Sequence, residues 1–279
     1  MNKLSISQII KAALLEDITY GDLTSEAIFD KDFDVSGTFI AKADGVIAGL
    51  PLVSAVFKEI DSRVVCSPLV ADGTKVTSGT KIATIKGPIK PILSGERVAL
   101  NFIQHLSGVA TYTARMVVLV EEYHAKIVDT RKTTPGLRIL EKYAVRKGGG
   151  RNHRFNLSDG VLIKDNHISA CGSITEAIAR CRAYAPHTTR IEVETENEAQ
   201  VQEALAAGAD IIMLDNMSPS EMKQMVELIA GRAITEASGG ISDANITEVA
   251  AAGVDIISIG ALTHSVRALD ISLEIDKNN

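Results

Sequence analysis

Ile6, Ile9, Ile10, Ala13 and Leu14 recur on one face of a 3.6-residue period, which predicts an amphipathic helix over about residues 5–16. From Val35 to about Gly87 the texture changes to short apolar runs broken by Asp-Gly, Ser-Gly and Gly-Pro. These are strand and turn signals, with 71–74 and 77–80 expected as hairpin turns. A helix-rich stretch follows over about 93–123, carrying Val98, Phe102, Ile103 and Leu106 inward and expected to break at Gly108.

After Ala125 a second rhythm begins. Six apolar runs read as strands: 126–130, 160–164, 190–194, 210–214, 233–237 and 255–259. Amphipathic helices are predicted at 174–184, 198–207, 219–229 and 244–252. Gly208, Gly231 and Gly253 sit where left-handed C-terminal caps suit glycine, and Ser218-Pro219 is an N-terminal capping pair. Strand and helix alternating at this spacing mean parallel pairing with right-handed crossovers, and the repeat suits a βα barrel. An open doubly wound sheet is the fallback, weakened because no glycine-rich dinucleotide fingerprint follows the first strand.

Composition narrows the function. Net charge is −6, tryptophan is absent and aromatics are few, which argues against a nucleic-acid or sugar-stacking surface. No run reaches the roughly 20 apolar residues of a membrane span, and the first residues show no signal-peptide core. Cys66, Cys171 and Cys181 have no metal-ligand spacing and read as reduced, mostly buried thiols of a cytoplasmic protein. Charge is uneven: residues 131–164 hold nine cations against two acids, a net of +7, so the remainder carries −13. Such a block is either a solvated basic face or an anion site.

Barrel chemistry gathers at the C-terminal ends of strands, and each predicted strand here ends in reactive residues. They are Asp129 to Pro135, Lys164 to His167, Glu192 with Glu194, Asp215-Asn216, Glu236 with Ser238-Gly239-Gly240, and Ser258 with Gly260-Ala261. Alternation puts Glu192 and Glu194 on one face, where interior carboxylates cost several kcal/mol unless cations or a metal balance them. The loops at 238–240 and 259–261 suit a phosphate held on backbone N–H groups. In 146–154 three glycines stand among five cationic or imidazole groups, a composition unsuited to a core. Arg131, Arg151 and Arg154 suit a di-acid bound bidentately, and His153 is expected to be a neutral hydrogen-bond donor.

These segments resemble the nicotinate-nucleotide pyrophosphorylase family, also called quinolinate phosphoribosyltransferase (carboxylating). The likeness rests on 129–136, 147–154, 162–167, 192–194, 213–216 and 236–241, and extends to 16–24 and 94–101. It implies an incomplete βα barrel at 111–265 and an N-terminal hammerhead-like α/β sandwich at 1–110, with 266–279 packing back on it. It implies transfer of phosphoribose from phosphoribosyl pyrophosphate to quinolinate with magnesium, giving nicotinate mononucleotide, pyrophosphate and carbon dioxide for NAD biosynthesis. By motif, Arg131, His153, Arg154 and Lys164 would hold quinolinate, with Arg97 reaching in from the partner of a homodimer or higher oligomer. Thr130, Lys132, Ser238, Gly239, Gly240, Ile259, Gly260 and Ala261 would bind phosphate or pyrophosphate. Glu194 and Asp215 would face ribose and, indirectly, Mg2+.

Two rival enzymatic or binding readings use the same residues. One is a Schiff-base aldolase with Lys164 as the amine; the other is the molybdenum-transport-associated protein of the same fold. Residues 70–87 also resemble the hammerhead sheet of biotinyl and lipoyl carriers, but lack a carrier-type modification lysine.

Overall fold

A computed structural model of the chain describes residues 3–276. In chain order come α1 (Lys3–Asp17), α2 (Leu23–Ile28), β1 (Asp34–Ala41), β2 (Gly45–Val46), α3 (Leu50–Ile60), β3 (Val65–Pro68), β4 (Lys75–Val76) and β5 (Lys81–Pro88). Then follow α4 (Ile89–Leu119), β6 (Lys126–Val128), α5 (Arg138–Lys147), β7 (Val161–Ile163), α6 (Asp165–Cys171), α7 (Ile174–Tyr184), β8 (Ile191–Thr195) and α8 (Glu198–Ala206). Last are β9 (Ile211–Asp215), α9 (Pro219–Ile229), β10 (Ile234–Ser238), α10 (Ile246–Ala251), β11 (Ile256–Ser258), α11 (Ala261–His264) and β12 (Ile271–Ile275). No helix among the described residues is long and apolar enough to cross a membrane.

Two compact units divide the chain. One contains the residues up to Ala114, Thr134–Gly149 and the residues from Ser265; the other contains Arg115–Thr133 and Gly150–His264. In the first, an antiparallel sheet has the order β12-β1-β5-β3. Strand β1 alternates strictly, burying Val35, Gly37, Phe39 and Ala41, as a sheet with one face on a core should. Phe39 meets Phe57 of α3 with ring centroids 6.3 Å apart. The segment 266–279 contributes β12, paired to β1 from Ala41↔Ile271 to Gly37↔Ile275; 277–279 lie outside the described residues.

Several local expectations change. The turns at 71–74 and 77–80 form, but neither closes a hairpin, because β4 pairs with β2 and β5 with β1 and β3. Asp72 is used instead at the start of α3, where it accepts from Gly49 N and Leu50 N and from the Tyr143 hydroxyl at 2.6 Å. The break expected at Gly108 is absent, and α4 runs unbroken for 31 residues. A Cβ at 108 would collide with the Arg267 carbonyl oxygen and Ala268 Cα, so this glycine permits a close approach rather than a helix end. The glycine run is also partly core: Gly148 is buried, and a Cβ there would overlap the Ala110 carbonyl and Thr113. The cysteines are free thiols, but each is half-buried rather than buried.

In the second unit six parallel strands have the order β6-β11-β10-β9-β8-β7, flanked by helices. Among the described residues β6 and β7 do not pair with each other, so the barrel is incomplete. The segment around Arg151 lies beside β6 through a parallel bridge to Val128, with Arg151 N donating to Ile127 O at 2.8 Å. The basic block is therefore divided: Arg138–Lys147 form α5 of the first unit, where Glu141 and Lys142 are fully buried. Glu141 is satisfied there by His105 Nε2 at 2.8 Å and Thr134 N at 3.0 Å.

Candidate active site

The C-terminal ends of all six parallel strands line one cleft of about 570 Å³ in the second unit. After β6 it receives Thr130, Arg131 and Lys132; from the neighbouring segment, His153 and Arg154; after β7, Lys164. Strands β8, β9 and β10 bring Glu194, Asp215 and Ser238, followed by Gly239 and Gly240. Eleven of the residues singled out from the sequence thus share one wall-to-wall site. Ile259, Gly260 and Ala261 do not line it, whereas Ser258 does. Arg97 is exposed on α4 of the first unit, and Arg151 is exposed outside the lining.

Asp129 explains how the basic segment is held. It is fully buried, accepting from His153 N at 2.9 Å and from Asn152 Nδ2 at 2.5 Å. The residue just past β6 thereby anchors a glycine-rich loop through two hydrogen bonds. The sequence marked Asp129 only as a strand end; its anchoring role depends on a partner 24 positions away.

Arg154 is half-buried, and its Nη1 donates to Gly160 O at 2.8 Å. Burial first, and then the neighbouring Arg131 guanidinium, pull its pKa below the usual arginine value, while Glu192, Glu194 and Asp159 oppose this. Two guanidinium groups held close, in spite of their repulsion, make a site for an anion of more than one charge. Lys164 Nζ lies 2.5 Å from Glu194 Oε1, and Asn216 Nδ2 donates to Asp215 Oδ2 at 2.7 Å.

Asn216 takes a left-handed φ of 56° immediately after β9, and Gly239 one of 89° after β10. A Cβ at Gly239 would overlap the Asn216 side-chain amide, so the two strand ends are fitted to each other. Lys132 is positioned similarly: Thr263 Oγ1 donates to its carbonyl at 2.7 Å, and its side chain passes directly over Gly260.

Models of the quinolinate phosphoribosyl transferase N-terminal domain and C-terminal domain match residues 22–107 and 109–274. The chain belongs to the quinolinate phosphoribosyl transferase family. It is 48% identical over 279 residues to a Bacillus subtilis (strain 168) protein named "Probable nicotinate-nucleotide pyrophosphorylase [carboxylating]", covering 100% of this chain and 96% of that one. It is 43% identical to the chloroplastic nicotinate-nucleotide pyrophosphorylase [carboxylating] of Arabidopsis thaliana, covering 97% of this chain and 83% of that one. The solved nicotinate-nucleotide pyrophosphorylase of Francisella tularensis superposes with a TM-score of 0.95 at 38% identity, covering 99% and 98%.

In this member of the quinolinate phosphoribosyl transferase family, a residue left without a role by the sequence reading also enters the cleft: Glu236. Its spacing from Ser238 on β10 repeats that of Glu192 from Glu194 on β8, a pattern the sequence displays. His153 Nε2 lies 3.1 Å from Glu192 Oε2 and 3.6 Å from Glu236 Oε1, and both glutamates are almost fully buried. Arg154 N donates to His153 Nδ1 at 2.8 Å. With Nδ1 accepting from the backbone, Nε2 is the ring nitrogen turned toward the two carboxyl groups.

Burial, then the Glu192 carboxylate, push Glu236 up to about 8 from 4.5, with His153 and the Ser258 hydroxyl acting against them. The folded state keeps this proton where the unfolded chain has lost it, so its contribution to stability falls from about pH 4.5 to about pH 8 and is level above. Glu236→Gln is accordingly expected to gain Tm relative to the native chain between pH 5 and pH 8. A Tm difference that stays constant across that window would mean that Glu236 is ionised in the fold.

Proposed function

We propose that this chain transfers the phosphoribosyl group of phosphoribosyl pyrophosphate to quinolinate, releasing pyrophosphate and carbon dioxide and leaving nicotinate mononucleotide, a step of NAD biosynthesis. The observation that carries the reading is the cleft itself, which Arg131, Arg154 and Lys132 line together with Glu194 and Asp215. Cations in that number suit two anionic substrates, while carboxylates suit the positive charge that develops at C1 of the ribose.

Arg131, Arg154 and Lys164 hold the two carboxylates of quinolinate, with His153 beside them in the cleft lining. Lys132, Thr130 and the 238–240 loop take the phosphate and pyrophosphate groups, while 259–261 stand outside the lining, with Ile259 N already donating to Val128 O. The ring nitrogen bonds to C1 as the pyrophosphate bond breaks; Glu194 and Asp215 offset the oxocarbenium charge. The C2–carboxylate bond then breaks, its electron pair stays on the quaternised ring, and C2 takes up a proton. Glu194 and Asp215 are hard oxygen donors, each with one oxygen already engaged, which suits Mg2+ arriving with pyrophosphate rather than a closed protein cage. When bound, Mg2+ supplies charge neutralisation of the departing pyrophosphate.

The test is to incubate the protein with quinolinate, phosphoribosyl pyrophosphate and Mg2+ and to follow nicotinate mononucleotide by mass, with nicotinate as control. Product from quinolinate alone is expected; product from neither compound would defeat the reading. Lys164 as a Schiff-base amine is disfavoured, since its Nζ is engaged by Glu194 Oε1 at 2.5 Å. Borohydride should trap no adduct.

The protein works as a cytoplasmic homodimer, on this reading, with exposed Arg97 completing the partner's cleft. Arg97→Ala and Arg154→Ala should each be nearly inactive alone. Refolded together at equal amounts they should regain about a quarter of native activity, because half the dimers are mixed and hold one intact site. No recovery would place Arg97 outside the partner's site.

A further inference from the structure

The buried group beneath the cleft has an unusual inventory. Among the described residues, Glu192 Oε1 and Glu236 Oε1 have no hydrogen-bond partner, although both side chains are more than nine-tenths buried. The ligand atoms of His153, Glu192 and Glu236 lie within 4.8 Å of one another. A transition metal would need the lone pair of His153 Nε2, but Nδ1 already accepts the Arg154 N–H, which puts the ring proton on Nε2. The cluster is built around protons rather than around a metal. Two facing carboxyl groups away from water, with one ring N–H near them, strongly favour the state in which one of them is uncharged.

Glu236 is the one of the pair that opens on the cleft. The groups facing it are His153, Glu192 and Glu194 of β8, and the Ser258 hydroxyl of β11. Its register partner on β9 is Met213, which brings no charge. We propose that Glu236 is a specificity-determining residue of the cleft: a neutral carboxylic acid, kept so by burial and by the Glu192 carboxylate, which lets the floor accept a doubly anionic substrate.

The reason is electrostatic. Lys164 is already matched by Glu194, and Arg154 already feels Glu192 and Glu194, so the positive surplus left for the anions rests on Arg131 and Lys132. One more carboxylate in a water-poor floor would offset much of it. The rise of the Glu236 pKa to about 8 places the loss of its proton just above neutrality. Above that point the cleft gains a negative charge and its affinity for a dianion falls.

This inference rests on the proposed quinolinate reaction, and a binding measurement separates the two. Quinolinate is titrated calorimetrically into the native protein at pH 6.5, 7.5, 8.5 and 9.5, a range in which its own charge is constant. Affinity is expected to be level up to about pH 8 and to fall by about tenfold or more by pH 9.5, as linkage to one proton requires. Glu236→Gln should remove the fall. Glu192→Gln, which withdraws the repelling carboxylate, should move its midpoint to lower pH. That second variant keeps the test alive should Glu236→Gln fail to fold. Level affinity from pH 7.5 to 9.5 in the native protein would overturn the proposal. So would an undiminished fall in Glu236→Gln, or an unmoved midpoint in Glu192→Gln. No quinolinate binding even at pH 6.5 would sink the reaction itself, and the proposal with it.

Discussion

Replacing Arg154 by alanine is expected to lower kcat/KM for quinolinate on the order of a hundred- to a thousand-fold, the usual consequence of truncating one member of a desolvated charge pair. The size follows from position. The guanidinium is half-buried in the cleft wall, fixed by Gly160 O, and close enough to Arg131 to feel its repulsion. A bound anion shared by the two cations relieves this repulsion, so part of their attraction is realised on binding. Arg154→Lys should recover little, because a point charge cannot reproduce the planar fork across a carboxylate. Steady-state kinetics in quinolinate would check this, and a loss of less than about fivefold in the alanine variant would remove Arg154 from the carboxylate site.

The second large effect concerns the scaffold. Gly108→Val should destabilise the first unit by about 3 kcal/mol or more, at the upper end for overpacking. The new Cβ would strike the Arg267 carbonyl oxygen and Ala268 Cα, which are backbone and cannot rotate aside. These atoms lead directly into β12, whose pairing with β1 covers one edge of the antiparallel sheet. Relief would therefore require the chain at 267–268 to retreat and Leu269 N to lose its bond to Gln104 O. By contrast, Gly136 has open space around its hypothetical Cβ but a φ of 81°, so Gly136→Ala should cost only about 1 kcal/mol of backbone strain. Thermal unfolding of both variants gives the comparison; similar Tm losses would mean that helix α4 yields at Gly108.

Much of the candidate site was legible because strand-end chemistry is a local signal. Asp215-Asn216, Glu192 with Glu194, and Lys164 each follow an apolar run, and in a parallel sheet every such end reaches the same face. Asp129 and Glu236 were less legible for a common reason. Both are carboxylates whose meaning depends on a partner from a distant segment, Asn152 and His153 for one, Glu192 and His153 for the other. Gly108 and Gly148 misled in the opposite direction, since a glycine needed for close approach has the same letter as a glycine that breaks a helix or frees a loop.

What the sequence determined by itself was the periodicity: amphipathic helices at 174–184 and 219–229, six strands in parallel alternation, and the motifs that mark the family. These follow from the covalent order, because side-chain spacing along the chain decides which face of an element is apolar. Only the tertiary structure decided which charges were chemistry and which were scaffold. It placed Glu141 and Lys142 of the basic block in the core of one unit and Arg131, Arg154 and Lys164 around the cleft of the other. Charge in a sequence carries no burial, and burial with a partner is what turns a carboxylate into an anchor, a counter-ion or a neutral acid.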